Sequence, residues 1–291
     1  MRKREIIMDN CVLIKKIGFG SFGDVYLARD SESKFIAVKM EKKSTKKSRL
    51  KQEFKMYKII KQSGFTKGLP EVFCYMQTDD YNIMTMELLG ANLNTLMMKN
   101  KGSFDLNTVL KLGIEITTLL EKFHSAGFIH RDIKPNNFLV GQENNKHIVH
   151  IMDLGLSKKY TQSDGTHMSL KSDKSLVGTA RYTSVNIHMG LEPSRRDDLE
   201  SVGYMLVYFL LGSLPWQGLK KDKNVDHIEK IGQTKIHANI KKMCKDIPPC
   251  FHEYINYCRN LGFASSPDYS FLKSLFLKEA DKYKINLKYC W

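Results

Sequence analysis

No two of the six cysteines, at 11, 74, 244, 250, 258 and 290, stand in a C-x-x-C pair. That spacing withholds both a metal knuckle and a redox couple, and the expectation is buried thiols in a reducing compartment. Long apolar runs are missing too. The longest, Val202 to Leu211, is about half of the roughly 20 residues a membrane helix requires. Met1-Arg2-Lys3-Arg4-Glu5 is basic, but only three apolar residues precede Asp9, so no signal peptide is expected. A soluble intracellular protein follows, cytoplasmic and with the nucleus also open. Internal repeats and low-complexity segments are absent. Acidic residues are in deficit, 31 against 46 Lys and Arg, for a net charge of +15. An acidic partner is implied: nucleic acid, anionic lipid, acidic protein or nucleotide phosphate. The densest basic run, residues 39–51, has seven Lys/Arg and one acid. It lacks the interleaved aromatics on which bases stack, so nucleic acid is not expected.

What the chain does have is one stretch dense in polar chemistry, His130-Arg131-Asp132-Ile133-Lys134-Pro135-Asn136-Asn137. It holds an acid, an amide and cations, and Pro135 forbids a regular helix there. Alone it is an exposed turn or an active-site loop. Upstream, alternating apolar residues flank Gly18-Phe19-Gly20-Ser21-Phe22-Gly23, which reads as two strands joined by a glycine hairpin. Val25 follows in a strand rather than a helix, which argues against a dinucleotide fold. Glycines let backbone N–H groups approach phosphates closely. A third strand, Phe35 to Met40, is apolar except for Lys39. In the next helix, Arg49 to Lys61, Leu50, Phe54, Tyr57 and Ile60 form an apolar stripe that also carries Glu53. A core-facing carboxylate needs a cation, and Lys39 is the one to hand. Leaving either unpaired would cost about 3–5 kcal/mol.

Strands around Glu71–Met76 and Tyr81–Leu88 complete a small antiparallel sheet, with a hinge at Glu87–Gly90. Helical spacing then takes over at Leu106, Leu110, Gly113, Ile116, Leu120 and Phe123, up to Ser125-Ala126-Gly127. Short strands are expected at Asn137–Val140 and His147–Met152, the second ending in Asp153-Leu154-Gly155. Ser194 to Ser201 caps an apolar helix through Leu211, which Pro215-Trp216 should stop.

The order of these parts resembles a eukaryotic protein kinase. Lys134, two residues after Asp132, is similar to serine/threonine kinases. Gly178-Thr179-Ala180-Arg181-Tyr182, Ser184-Val185-Asn186, residues 194–201, residues 211–220 and Pro267-Asp268-Tyr269-Ser270 resemble the casein kinase 1 family from about Cys11 to Leu277. The resemblance implies an α+β bilobal kinase fold in a single domain over 1–291. A small antiparallel sheet plus one helix (about 1–87) lies over a mainly helical lobe (about 90–291), with ATP between them. By the same resemblance, Ile17, Gly18, Phe19, Gly20, Ser21, Phe22, Gly23 and Val25 cover the phosphates. Ala37, Met86, Glu87, Leu89 and Leu139 frame the adenine. Lys39, held by Glu53, reaches the phosphates, and Asn137 and Asp153 hold Mg²⁺. Asp132 orients the substrate hydroxyl, Lys134 neutralises the transferring phosphoryl, Thr179 ties those two together, and Asp198 supports the loop.

In this family a basic pocket accepts an acidic or phosphorylated residue of the protein substrate. Arg181 and Lys174 match it and Gly218 matches a backbone contributor. His227 stands where the family has a lysine, although Lys223 is near in sequence. A weaker, pH-sensitive preference for phosphorylated substrates is therefore expected. Arg131 and Lys158 resemble a second anion site. Asn136 and Leu154 depart from the commoner Asp and Phe without removing a catalytic group. A monomer is expected. A scaffold with the fold but no chemistry would lack the equivalents of Lys39, Asp132 or Asp153, and all three are present.

Overall fold

A computed structural model describes residues 6–8, 11–20, 23–44, 48–220 and 226–291. Ser21, Phe22 and Lys223 lie outside them. Two compact units are formed, one from Met1–Ala91 with Leu139–Gly155, the other from Asn92–Phe138 with Leu156–Trp291.

In the first unit, strands β1 (Ile6–Met8), β2 (Cys11–Gly20), β3 (Gly23–Arg29) and β4 (Phe35–Lys42) precede helix α1 (Leu50–Gln62), and β5 (Val72–Gln77) and β6 (Tyr81–Glu87) follow it. They make a six-stranded antiparallel sheet in the order β1-β2-β3-β4-β6-β5. Five of these strands were expected. The sixth, β1, is too short to show a period of its own and exists by pairing with Cys11 and Val12.

Alternation along the strands divides their side chains between two faces. Ile36, Val38, Ala28, Leu13, Cys11 and Ile83 cluster on one. On the other, the register aligns Val25 with Lys39 and Lys39 with Met84, and next to them Ala37 with Met86. Helix α1 packs against β5 and β6 and buries Leu50, Glu53, Tyr57 and Ile60, the stripe that places Glu53. Its start is fixed by a buried carboxylate in β4. Glu41 accepts from the Arg49 N–H (2.8 Å), the Ser48 hydroxyl (2.6 Å) and the Asn82 amide (3.1 Å).

The second unit begins with α2 (Leu93–Lys99) and α3 (Leu106–Ser125). Their N-caps, Asn92 and Asp105, each accept from a backbone N–H three residues on, as side-chain oxygens at this position do. After β7 (Phe128–Ile129), the ladder of β8 (Phe138–Val140) and β9 (Val149–Ile151) brings residues 139–155 into the first unit, where Val140 N donates to Ala91 O and Ile151 N to Gly68 O. In the second unit β10 (Lys158–Lys159) pairs with β7. Then come α4 (Val185–His188), α5 (Arg195–Leu211), α6 (His227–Ile236), α7 (Ile240–Met243), α8 (Pro249–Asn260) and α9 (Tyr269–Lys282).

Helix α5 is the centre of this unit. Every residue from Asp197 to Phe209 is buried, so the helix is covered all round, in keeping with the apolar run from Val202 onward. Ser194 and Asp197 form a capping box at its start. Helix α5 ends at Leu211, as expected, but the stop is Gly212 in the left-handed region (φ 72°) rather than Pro215-Trp216, a conformation open to glycine at little cost.

Helix α3 packs on α5 and α9, and Gly113 makes the α9 contact possible. A Cβ there would lie 2.7–3.0 Å from three ring atoms of the buried Phe276. Gly113→Ala gains about 1 kcal/mol in helix propensity and incurs an overpacking cost of about 1–3 kcal/mol. Urea unfolding should show a less stable variant, and unchanged or raised stability would mean that Phe276 yields freely.

Candidate active site

In the first unit Lys39 is the meeting point of two carboxylates. Its Nζ donates to both oxygens of Glu53 (3.0 and 2.8 Å) and to Asp153 Oδ1 (3.0 Å). Burial alone would push the lysine down. Glu53 and Asp153 outweigh it and hold the ammonium above the ordinary lysine range. The pair joins β4 to α1, and both residues are buried.

Asp153 has φ 61°, a left-handed conformation that costs a non-glycine residue on the order of 1–3 kcal/mol. It is retained by the Lys39 contact on its side chain and by Tyr57, whose hydroxyl accepts from the Asp153 N–H at 3.2 Å. Tyr57 was read from sequence only as part of the apolar stripe, and its spacing carries no sign of the second task. Around the Lys39 position, Ala37, Met86 and Leu89 are buried, and Glu87, Leu139 and Val25 half-buried, whereas Ile17 and Phe19 are exposed. The Leu89 carbonyl accepts from Gln142 Nε2 at 3.2 Å. Gly18 lies opposite Val25 and Gly20 opposite Gly23. At Gly23 (φ 136°) a Cβ would stand 2.2 Å from Met40 O, so only glycine lets the hairpin lie this close to β4.

In the second unit the loop from His130 to Asn137 hangs from Asp198. This carboxylate accepts from the His130 N–H (2.7 Å, Oδ2) and the Arg131 N–H (2.8 Å, Oδ1), and thereby holds Arg131 at φ 67°. His124 Nε2 lies 3.0 Å from Asp198 Oδ2, and its Nδ1 lies 2.7 Å from Tyr269 Oη. Burial lowers the basicity of His124. The neutral ring therefore donates Nε2–H to the carboxylate and accepts the tyrosine hydroxyl at Nδ1. Burial works against the charge on Asp198, but His124, His130 and the His130 N–H hold its carboxyl below the usual range. His124 was missed by the sequence reading, which took it as one more residue of a long helix.

Asp132, buried, is gripped on both oxygens. Thr179 Oγ1 donates to Oδ1 at 2.8 Å, and Lys134 Nζ to Oδ2 at 2.6 Å. Asn137 Nδ2 donates to the Asp132 carbonyl (2.9 Å) and to Oδ2 (3.3 Å). Thr179 was expected to tie Asp132 and Lys134 together. It bonds Asp132 instead, while Lys134 reaches the opposite oxygen. Gly178 (φ 91°) allows this approach, since a Cβ there would stand 2.4 Å from Arg131 O.

A family model of the protein kinase domain matches residues 11–282. The chain belongs to the protein kinase family. As a protein kinase it is a phosphotransferase that acts on proteins, and its chemistry uses ATP and a divalent metal. The residues present fit both. The hairpin has glycine at 18, 20 and 23, where no side chain stands between a backbone N–H and an approaching phosphate. Asn137 spends its amide nitrogen on Asp132, so its oxygen is what it can offer a cation, and Asp153 offers a carboxylate. Each unit thus offers a hard oxygen donor of the kind a hard divalent cation takes. Among the described residues, no helix of the kinase is long and apolar enough to cross a membrane.

The expected substrate-anion residues all belong to the second unit. Arg181 is exposed, its guanidinium 5.5 Å from the Tyr208 ring and 5.8 Å from that of Tyr182. Lys174 is exposed, and its N–H donates to Gly190 O. Gly218 is uncrowded at φ 66°, and His227 opens α6. No hydrogen bond or ion pair joins any two of these four among the described residues. The second anion site expected at Arg131 and Lys158 is differently engaged. Lys158 pairs with the buried Glu192 at 2.8 Å, and Arg131 Nε donates to Leu156 O at 2.7 Å.

Asp198→Asn would aim an amide at converging N–H donors, each costing about 1–3 kcal/mol if unmet. Because the native carboxyl is held below its unfolded range, its contribution is present above about pH 4 and lost as pH falls through the lowered value. Urea unfolding should show the gap between wild type and variant full at pH 7 and narrowing below about pH 4. A gap independent of pH would show that the charge of Asp198 is immaterial.

Proposed function

We propose that this kinase is a serine/threonine kinase of the casein kinase 1 type, transferring the γ-phosphoryl of Mg-ATP to Ser or Thr hydroxyls in acidic or already phosphorylated proteins. It acts as a monomer in the cytoplasm, with the nucleus also open to it. The observation that carries the reading is the grip on Asp132, with Lys134 bonded to one carboxylate oxygen and Thr179 to the other. The motif blocks at 178–186, 194–201, 211–220 and 267–270 support the narrower family.

In this mechanism Asp132 Oδ2 or Oδ1 accepts a hydrogen bond from the substrate hydroxyl and turns its oxygen lone pair toward the γ-phosphorus. The new O–P bond forms as the bond to the β,γ-bridging oxygen breaks, and the hydroxyl proton passes to Asp132. Lys134 stands beside the same carboxylate, where it balances negative charge on the transferring group. Lys39, locked by Glu53, presents its ammonium to the phosphates beneath the glycine hairpin. Asn137 and Asp153 would hold Mg²⁺, which would supply positive charge to the phosphate oxygens. Phosphoryl transfer asks mainly for positioning and charge balance, and these residues supply both.

Transfer of labelled γ-phosphate to acidic casein should fall by about 10²–10⁴-fold in Asp132→Asn, and equal labelling would overturn the assignment. For substrate choice, Arg181→Ala should reduce kcat/KM for a phosphoserine-primed peptide by about tenfold, as loss of one charge-assisted hydrogen bond does, and leave the unprimed peptide little changed. Equal rates on both peptides in wild type and variant would remove the phosphate preference.

A further inference from the structure

The turn that carries Thr179 and Arg181 is held from outside by a lysine that no step of the mechanism uses. Within the turn, Thr179 O accepts from the N–H groups of Tyr182 (2.9 Å) and Thr183 (3.1 Å) and from the Thr183 hydroxyl (2.8 Å). Three further carbonyls of the turn accept from groups outside it. Ala180 O accepts from Lys235 Nζ at 2.7 Å and has His188 Nε2 at 3.2 Å. Arg181 O accepts from Trp216 Nε1 at 2.7 Å. Thr183 O accepts from Lys235 Nζ at 2.5 Å. One side chain thus bridges the two flanks of Arg181 and Tyr182.

Lys235 is fully buried (0 % exposed), near the end of α6. Its Nζ lies 5.0 Å from the Trp216 ring and 5.2 Å from that of Tyr204. Both hydrogen bonds go to carbonyls, and no ion pair to a carboxylate is formed among the described residues. Burial pushes its basicity well below the ordinary lysine range. Either protonation state has the two N–H groups that the carbonyls require. A buried lysine in such a place is costly, and an apolar residue would fill the space at less expense, so its retention needs a local reason.

We propose that Lys235 is a positioning residue for phosphoryl transfer: by holding Ala180 O and Thr183 O it fixes the turn that delivers Thr179 to Asp132 and presents Arg181 to the protein substrate. The inference rests on the role proposed for Asp132. It also ties α6, whose first residue is His227, to the substrate-facing turn.

The experiment compares the whole kinase with Lys235→Met, which keeps the length and removes the donors. Peptide kcat/KM should fall by about tenfold to 10²-fold, the scale of a small misplacement of catalytic groups, with the KM for ATP within about twofold of wild type. Combined with Thr179→Ala, the second substitution should cost far less than it does alone, because both act through one contact. Trp216→Phe, which keeps a ring but releases Arg181 O, should show a smaller loss with the same ATP KM. Wild-type peptide kinetics in folded Lys235→Met, or losses that multiply independently, would overturn the proposal. Should Lys235→Met not fold, wild-type kinetics in Trp216→Phe would overturn it instead. Asp132→Asn run alongside separates the two levels. If that variant still transfers phosphate, the role of Asp132 fails; if it is dead while Lys235→Met is unaffected, only the positioning role fails.

Discussion

Asp198 must remain ionised where there is no water, and much of the second unit serves that requirement. A buried carboxylate without partners would be neutralised or would unfold its surroundings. Here its oxygens are met by two consecutive backbone N–H groups and by the ring of His124, itself fixed by Tyr269. The dependence runs both ways. The backbone groups of His130 and Arg131 are satisfied only because the chain bends into the left-handed region at Arg131, and that bend aims the following residue, Asp132, at Thr179 and Lys134. The geometry around Asp132 is thus a by-product of satisfying one buried charge.

The first unit solves a similar problem with the opposite sign. Lys39 is a buried cation, and Glu53 and Asp153 are its counterions. The strained backbone at Asp153 is held by a salt bridge on one side and a tyrosine hydroxyl on the other. In each unit a non-glycine residue with positive φ, Asp153 in one and Arg131 in the other, is locked by groups from distant parts of the chain. Strain of this kind persists only where surroundings over-determine it.

What could be read from the sequence follows from this division. Local signals were legible: the glycine hairpin, the stripe that places Glu53 opposite Lys39, the serine that caps α5, and the density of polar residues from His130 to Asn137. Strand and helix boundaries came within a residue or two, the end of α5 at Leu211 included, except where an element owes its existence to a neighbour, as β1 does. The supports were not legible. Tyr57, His124 and Lys235 each lie on a helix at a spacing suited to core or surface, and nothing local says that their polar ends meet groups far away in the chain, backbone for Tyr57 and Lys235 and the Asp198 carboxylate for His124. The pairing of Lys158 with Glu192 was hidden for the same reason.

Helix α5 is enclosed along most of its length, and Asp198 belongs to its first turn. Amide hydrogens in so enclosed a helix reach solvent only through openings close to complete unfolding of the unit. The carboxylate that holds the loop from His130 to Asn137 is therefore sited where amide exchange should be slow, rather than in an exposed segment. Loss of the geometry around Asp132 and loss of the fold should therefore go together there. Whatever variation the chain admits in its exposed segments, this loop inherits the lifetime of the core.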